Sequence, residues 1–162
     1  MSKTDLRKEA KISSYRYLTF SITYDTHSEN VGWRYNIPGN DNSYGGSSGL
    51  RLEAVKIHKI TDNNGKKWNV TYNVHLQDLD WQSWVNAETQ AGTTGRAIRL
   101  EAIQIKLENN LTKHYKICYR AHLLGGGWQG WVQDGAIAGT FGRAQALDQI
   151  QMKVVSKNVS CS

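Results

Sequence analysis

The sequence predicts an all-β single domain of three internal repeats with pseudo-threefold symmetry. Three observations predict it. His27, His75 and His122 follow one another at intervals of 48 and 47 residues, and Trp33, Trp81 and Trp128 keep the same spacing. Self-similarity at a fixed period is the signature of a repeat architecture. Each repeat opens on a stretch that alternates apolar and polar residues, the period of a half-buried strand. A single Pro and 15 Gly suit a chain of strands and turns.

The elements follow in order. Residues 1–14 read as a basic N-terminal arm, and 15–162 as the β domain, with repeats at about 15–62, 63–110 and 111–157. In the first repeat Leu18, Phe20, Ile22 and Tyr24 alternate with Thr19, Ser21 and Thr23. Val70, Tyr72, Val74 and Leu76 do so in the second, and Ile117, Tyr119, Ala121 and Leu123 in the third. The histidines have the opposite parity to Tyr24, Tyr72 and Tyr119, so tyrosines facing the core would turn His27, His75 and His122 away from it.

A Trp segment comes next. The second repeat has Trp81-Gln82-Ser83-Trp84, and the third Trp128-Gln129-Gly130-Trp131; the first has Trp33 without a second Trp. Residues three apart on an extended strand face opposite sides. One Trp of each pair can therefore be core while the other is exposed.

Gly-rich loops follow at Asn40–Gly49, Ala91–Gly95 and Ala138–Gly142, where glycine permits positive φ or close backbone approach. Each repeat ends on a strand whose alternation slips once: Leu52 to Val55, Leu100 to Ile103, Leu147 to Ile150. One extra residue between apolar positions is a β-bulge.

Between repeats, Thr61–Gly65 and Glu108–Thr112 have turn composition. They imply that the last strand of one repeat pairs with the first of the next, and that the strand ending near Val155 closes on Leu18–Tyr24. Long strands, about three per repeat, favour a β-prism-like arrangement; a β-trefoil is the alternative.

Composition narrows the function. The 162 residues carry a net charge of +6, with 21% charged and 39% hydrophobic residues, a globular balance. Five cations (Lys3, Arg7, Lys8, Lys11, Arg16) face two acids in the first 16 residues. Such an arm is a solvated tail or an attraction to anionic polymers, and no nucleic-acid partner is inferred from it. No apolar run reaches the ~20 residues of a membrane-spanning helix, and no signal peptide is visible. Two cysteines are too few to read as a framework, and whether Cys118 and Cys161 pair stays open.

Tyr and Trp number 14 against two Phe. Such aromatics combine an apolar body with a polar handle and serve half-exposed faces. An indole packs on the apolar face of a pyranose while neighbouring amides and carboxylates bond its hydroxyls. The candidate ligand-binding residues are Trp33, Trp81, Trp84, Trp128 and Trp131, with Gln82, Gln129, Asp78 and Asp134, and with His27, His75 and His122. Asn86 is a further polar neighbour.

No metal site and no cofactor are expected, because neither Cys spacing nor a partner shell supports the histidines as ligands. Glu53, Glu101 and Asp148 are equivalent acids. Arg51 and Arg99 precede the first two on the same strand face, which implies structural ion pairs, while Ala146 takes that place in the third. A glycosidase needs two acids in one cleft, and symmetry spreads these three apart. No nucleophile elbow, phosphate loop, HExxH or zinc spacing occurs.

The pattern Y-x-x-H, then G/D-W, then G-T-x-G, then R-L-E-A-x-x-I resembles the clostridial hydrophobic repeat with a conserved tryptophan (ChW repeat). The resemblance covers roughly residues 15–155. It is strongest in the second repeat and weakest in the first, which lacks the second Trp and the Gly-Thr-x-Gly turn. It implies a Gram-positive, secreted or cell-surface protein, and it offers no catalytic residues. The expected function is a non-enzymatic, lectin-like module for surface or cell-wall carbohydrate. The alternative is a protein-interaction subunit of a toxin, phage or surface assembly.

Overall fold

The computed structural model describes residues 2, 3 and 18–162. Most of the basic arm and the first residues of the first repeat lie outside the described residues. Among the described residues, seventeen strands follow in chain order. Those of the first repeat are β1 (Phe20–Ser21), β2 (Thr23–Ser28), β3 (Gly32–Pro38), β4 (Gly45–Gly46), β5 (Leu52–Ile57) and β6 (Ile60–Asp62). The second has β7 (Lys67–Trp68), β8 (Val70–Leu76), β9 (Asp80–Trp81), β10 (Val85–Asn86), β11 (Gln90–Gly92) and β12 (Leu100–Leu107). The third has β13 (Tyr115–Leu123), β14 (Gly127–Trp128), β15 (Val132–Gln133), β16 (Ala138–Gly139) and β17 (Leu147–Ser156). All pairings are antiparallel, so the chain is all-β.

Each repeat centres on one long pair: β2 with β5, β8 with β12, β13 with β17. The same partners meet in each, Tyr24 with Ile57, Tyr72 with Ile105 and Tyr119 with Met152. The expected alternation is obeyed, and these tyrosines are buried. A short glycine-bearing strand from another repeat then extends each pair. β11 of the second repeat lies on β5, β16 of the third on β12, and β4 of the first on β17. The loan is cyclic, each repeat borrowing from the next and the last from the first.

This corrects the expected order of strands. The long closing strand of each repeat pairs with the long opening strand of its own repeat, and Val155 sits opposite Lys116 rather than paired with Leu18–Tyr24; only the short β6 pairs onward, with β7 of the second repeat. The physical reason is that β12, with β8 on one side and β16 on the other, has both hydrogen-bonding edges filled. Both interrepeat segments are turns, with Gly65 N–H bonding Asp62 C=O and Leu111 N–H bonding Glu108 C=O. The first closes a small sheet, β1-β6-β7, and the second only joins strands of different sheets.

The phase slip is present in all three repeats at the predicted place. Ser28 faces Leu52, but His27 faces Ala54. Leu76 faces Leu100, but His75 faces Ala102. Leu123 faces Leu147, but His122 faces Gln149. The extra residues are Glu53, Glu101 and Asp148, so the conserved offset of the apolar pattern places one acid in each bulge.

The tyrosines tie the repeats together. Tyr24 O–H donates to Ile150 C=O of the third repeat at 3.2 Å, and Tyr72 oxygen accepts the Ile57 N–H of the first at 3.1 Å. Tyr119 O–H donates to Ala136 C=O within its own repeat. Burial pushes the Tyr72 and Tyr119 hydroxyls up to about 12.

An ionic clamp joins the first two repeats. His58 Nδ1 lies 2.7 Å from Glu88 Oε2, and Nε2 lies 2.9 Å from Asp25 Oδ1. Burial alone would lower the imidazole's pKa, but the bonds to Glu88 and Asp25 outweigh it and raise it above its ordinary value. Burial likewise acts to raise the Glu88 pKa, yet His58 and the Lys59 N–H hold it below its ordinary value. A raised His pKa stabilises the fold fully below the unfolded pKa and loses that contribution as pH rises through the folded one. The depressed Glu88 gives a contribution that disappears as pH falls. The clamp is therefore strongest between the ordinary values of the two groups, 4.5 and 6.5. His58→Gln is expected to remove a fall in stability between pH 6 and 8 that the wild type shows in urea titrations. Parallel slopes in the two proteins would contradict the clamp.

Candidate functional site

Each repeat folds the same three groups into one cluster: the histidine, the bulged acid and the first Trp. His27 Nδ1 lies 3.2 Å from Glu53 Oε1, and His75 Nδ1 3.0 Å from Glu101 Oε1. Both approach outside hydrogen-bond geometry. His122 Nδ1 bonds Asp148 Oδ1 at 2.6 Å. The indoles meet the imidazoles edge to face. Ring centroids are 5.3 Å apart for His27–Trp33, 5.4 Å for His75–Trp81 and 5.1 Å for His122–Trp128. The cause is register: β9 and β14 pair back onto the histidine strands, putting His75 opposite Trp81 and His122 opposite Trp128. Arg99 bonds Glu101 through Nε and Nη2, both at 2.9 Å, and Arg51 Nε lies 3.6 Å from Glu53. The expected ion pairs are therefore formed.

The glycine loop of another repeat then covers each cluster. Gly92 follows the Glu53 bulge and Gly139 the Glu101 bulge, with Thr93 and Thr140 N–H bonding the Glu53 and Glu101 carbonyls. In the first repeat Gly46 lies against Asp148, and the N–H of Gly49 bonds Asp148 Oδ2 at 2.9 Å. Gly46-Ser47-Ser48-Gly49 thus does what Gly-Thr-x-Gly does elsewhere, so the first repeat keeps the turn it was expected to lack. Its glycines have φ +87 and +81, against +92 and +72 for Gly92 and Gly95.

At the second repeat this covering loop brings in Phe141, which is 51% exposed. Its ring lies 5.7 Å from His75 and 5.9 Å from Trp81. A groove of about 470 Å³ results, lined by His75, Asp78, Asp80, Arg99, Glu101 and Phe141. Asp78 and Asp80 hold φ +60 and +67. The equivalent pairs are Asn30 with Gly32 and Gly125 with Gly127, also at positive φ. Asp occupies both left-handed positions in the second repeat alone, where glycine would be relaxed. Asp80 Oδ1 reaches to 3.3 Å from His75 Nε2.

The other candidates divide by what their polar atoms do. Gln82 Nε2 donates to Leu79 and Asp80 carbonyls, both at 3.1 Å, and Gln129 Oε1 accepts Gly139 N–H at 2.7 Å. Asp134 Oδ1 accepts Ile117 N–H at 3.1 Å, and Asn86 Oδ1 accepts from Asn69 Nδ2 at 3.0 Å. These four brace the loops.

The expectation that one Trp of each pair is core fails. Trp81, Trp128 and Trp131 are half-buried and Trp84 is exposed, because β9 and β10 are separated by irregular backbone and form no continuous strand. The buried indole is Trp68, which donates to Asp62 Oδ2 at 2.9 Å. The outer Trps carry cations instead. Lys106 Nζ lies 4.5 Å over Trp84, and Arg120 stands between Trp128 and Trp131 at 4.5 and 4.8 Å. Lys153 Nζ is 4.7 Å over Trp131.

Sequence reasoning missed Phe141 and Asp80 as site residues. Asp80 was legible as the residue before Trp81. Phe141 was legible only as the bulky residue inside Gly139-Thr140-Phe141-Gly142, and nothing local says which repeat it covers. Among the described residues no group of three or more His, Cys, Asp or Glu is placed to hold a metal ion, and no helix is long and apolar enough to cross a membrane.

An all-β chain that repeats a histidine, a bulged acid and an edge-on indole is a tryptophan-repeat module. Residues 75–109 and 122–156 each match the family model Clostridial hydrophobic W (ChW). The segment around Trp33 shares their geometry without matching the model. No curated protein and no solved structure matches the chain.

Proposed function

We propose that the chain is a non-enzymatic, lectin-like module that binds surface or cell-wall carbohydrate outside the cell. The observation that supports this best is the groove beside His75. Phe141, braced by Trp81 behind it, offers an aromatic face for the C–H side of a pyranose, and Asp78, Asp80 and Arg99 supply acceptors and donors for its hydroxyls. Asp at two left-handed positions fits this reading, since backbone strain is retained where a side chain is used. The repeated clusters suit weak binding multiplied by avidity on a repetitive polymer. The second and third repeats, each with two Trps, are the stronger sites. A disulfide between Cys118 and Cys161 suits an oxidising, extracellular compartment.

The test is a glycan panel followed by titration of the best ligand. Phe141→Ala is expected to weaken binding about tenfold or more, the worth of one aromatic face, and Trp81→Ala to weaken it less, by removing the ring that braces Phe141. Phe141 is exposed enough for its variant to fold. A panel without signal, together with a stable complex with another protein from the native source, would replace this reading with that of a protein-interaction subunit.

A further inference from the structure

A second groove lies on the first repeat, and its lining shares no residue with the histidine clusters. It encloses about 410 Å³ and is lined by Arg34, Tyr35, Asn36, Asn42, Ser43 and Tyr44 among others. Its two aromatic walls are open to solvent: Tyr35 is 65% exposed and Tyr44 46%. Both rings are held from behind. Tyr35 stacks on Trp33 with centroids 6.1 Å apart and planes 20° apart, and Tyr44 meets Trp128 edge to face at 5.7 Å. Braced aromatic rings lose little conformational entropy when a ligand stacks on them.

The charge of this groove is opposite to that of the other. Three carboxylates and one Arg line the His75 groove. Here Arg34 is the only charged lining residue. One of its guanidinium N–H groups donates to Gly46 C=O, which fixes the head group, and no ion pair to a carboxylate is formed by it among the described residues. A fixed planar guanidinium with free donors suits a carboxylate or phosphate. Asn36, Asn42 and Ser43 add side-chain amides and a hydroxyl matched to sugar hydroxyls.

The geometry points to a second saccharide site in this groove, selective for glycans that carry an anionic group on or beside a ring that stacks on Tyr35 or Tyr44. This rests on the carbohydrate reading above and adds to it a substrate class and a separate location. The two grooves would let one domain hold a polymer at two points, with acidic residues favoured only at the first repeat.

The experiment titrates the whole chain with three probes: hexagalacturonate, its neutral methyl ester, and a short poly(glycerol phosphate) that has no ring. Hexagalacturonate is expected to bind about tenfold more tightly than the ester, the worth of one charge-assisted contact. Poly(glycerol phosphate) should bind more weakly than either. Arg34→Gln should erase the difference between acid and ester. Tyr35→Ala and Tyr44→Ala should weaken both; they are surface changes and keep the test decisive if Arg34→Gln unfolds. Phe141→Ala, a change in the other groove, should leave the ratio of acid to ester affinity as in the wild type. Equal binding of acid and ester, Tyr variants that bind as the wild type does, or no binding of hexagalacturonate each overturns the inference. Equal or tighter binding of poly(glycerol phosphate) reduces the groove to a charge effect and overturns it too. If the Tyr variants are silent while Phe141→Ala abolishes binding of the panel's best glycan, the carbohydrate reading stands and this one falls. If no saccharide binds the wild type, both fall.

Discussion

Gly92→Ala and Gly139→Ala are each expected to destabilise the domain by about 3 kcal/mol, against about 1 kcal/mol for Gly95→Ala. All three residues have positive φ, at +92, +97 and +72, so each variant meets the left-handed penalty of roughly 1–2 kcal/mol. Only the first two meet a wall as well. A Cβ on Gly92 would stand 2.3 Å from the Glu53 carbonyl oxygen, and one on Gly139 2.4 Å from that of Glu101, whereas one on Gly95 would meet nothing within 4 Å. The obstacle is the backbone of a bulge held in a sheet, which cannot swing aside as a side chain can, and overpacking of that kind costs roughly 1–3 kcal/mol more. The same contact is the joint between repeats, since these glycines belong to the strands lent to the neighbouring hairpin. Urea denaturation of the three variants measures it. Equal losses at Gly92 and Gly95 would mean that the lent strand does not carry the joint.

Cys161→Ser is expected to cost about 2–4 kcal/mol. The bond spans 43 residues and ties the end of the chain to the middle of β13. Opening a loop of that length restores entropy to the unfolded chain. The variant is clean because Cys118 is fully buried and its free thiol behaves as a small apolar group. Reduction of the wild type should lower its stability by the same amount, and the variant should not respond to reductant. A wild type indifferent to reductant would show that the bond contributes nothing to the fold.

The legible part of the fold was its local pattern. Alternation placed the long strands, and the single slip in phase placed three bulges. Both follow from the period-two geometry of a strand, which one chain segment carries by itself. The pairing of strands was not legible in the same way. The turns at Thr61–Gly65 and Glu108–Thr112 are real, yet a turn says only that the chain reverses. It does not say whether an edge is free, and the edges of β12 were already taken by β8 and β16.

The candidate site divided along the same line. His75 and Trp81 were found from their spacing, and register alone puts them opposite each other. Gln82, Gln129 and Asp134 had the right chemistry for a ligand, but their polar atoms bond the loops that carry them. A side-chain amide near a Trp reads identically in sequence whether it faces a sugar or a carbonyl. Phe141 was passed over because it lies about 60 residues from Trp81 and reaches it only through the lent strand β16.

By itself the sequence determined the all-β class, the place of the three bulges and the recurring His and Trp positions, because each depends on residues close together along the chain. Only the tertiary structure decided which repeat covers which, and so where the grooves lie and what charge each one carries. Those depend on backbone carbonyls meeting glycines from a different repeat, and a contact between two distant stretches of main chain leaves no mark on the identity of the residues beside it.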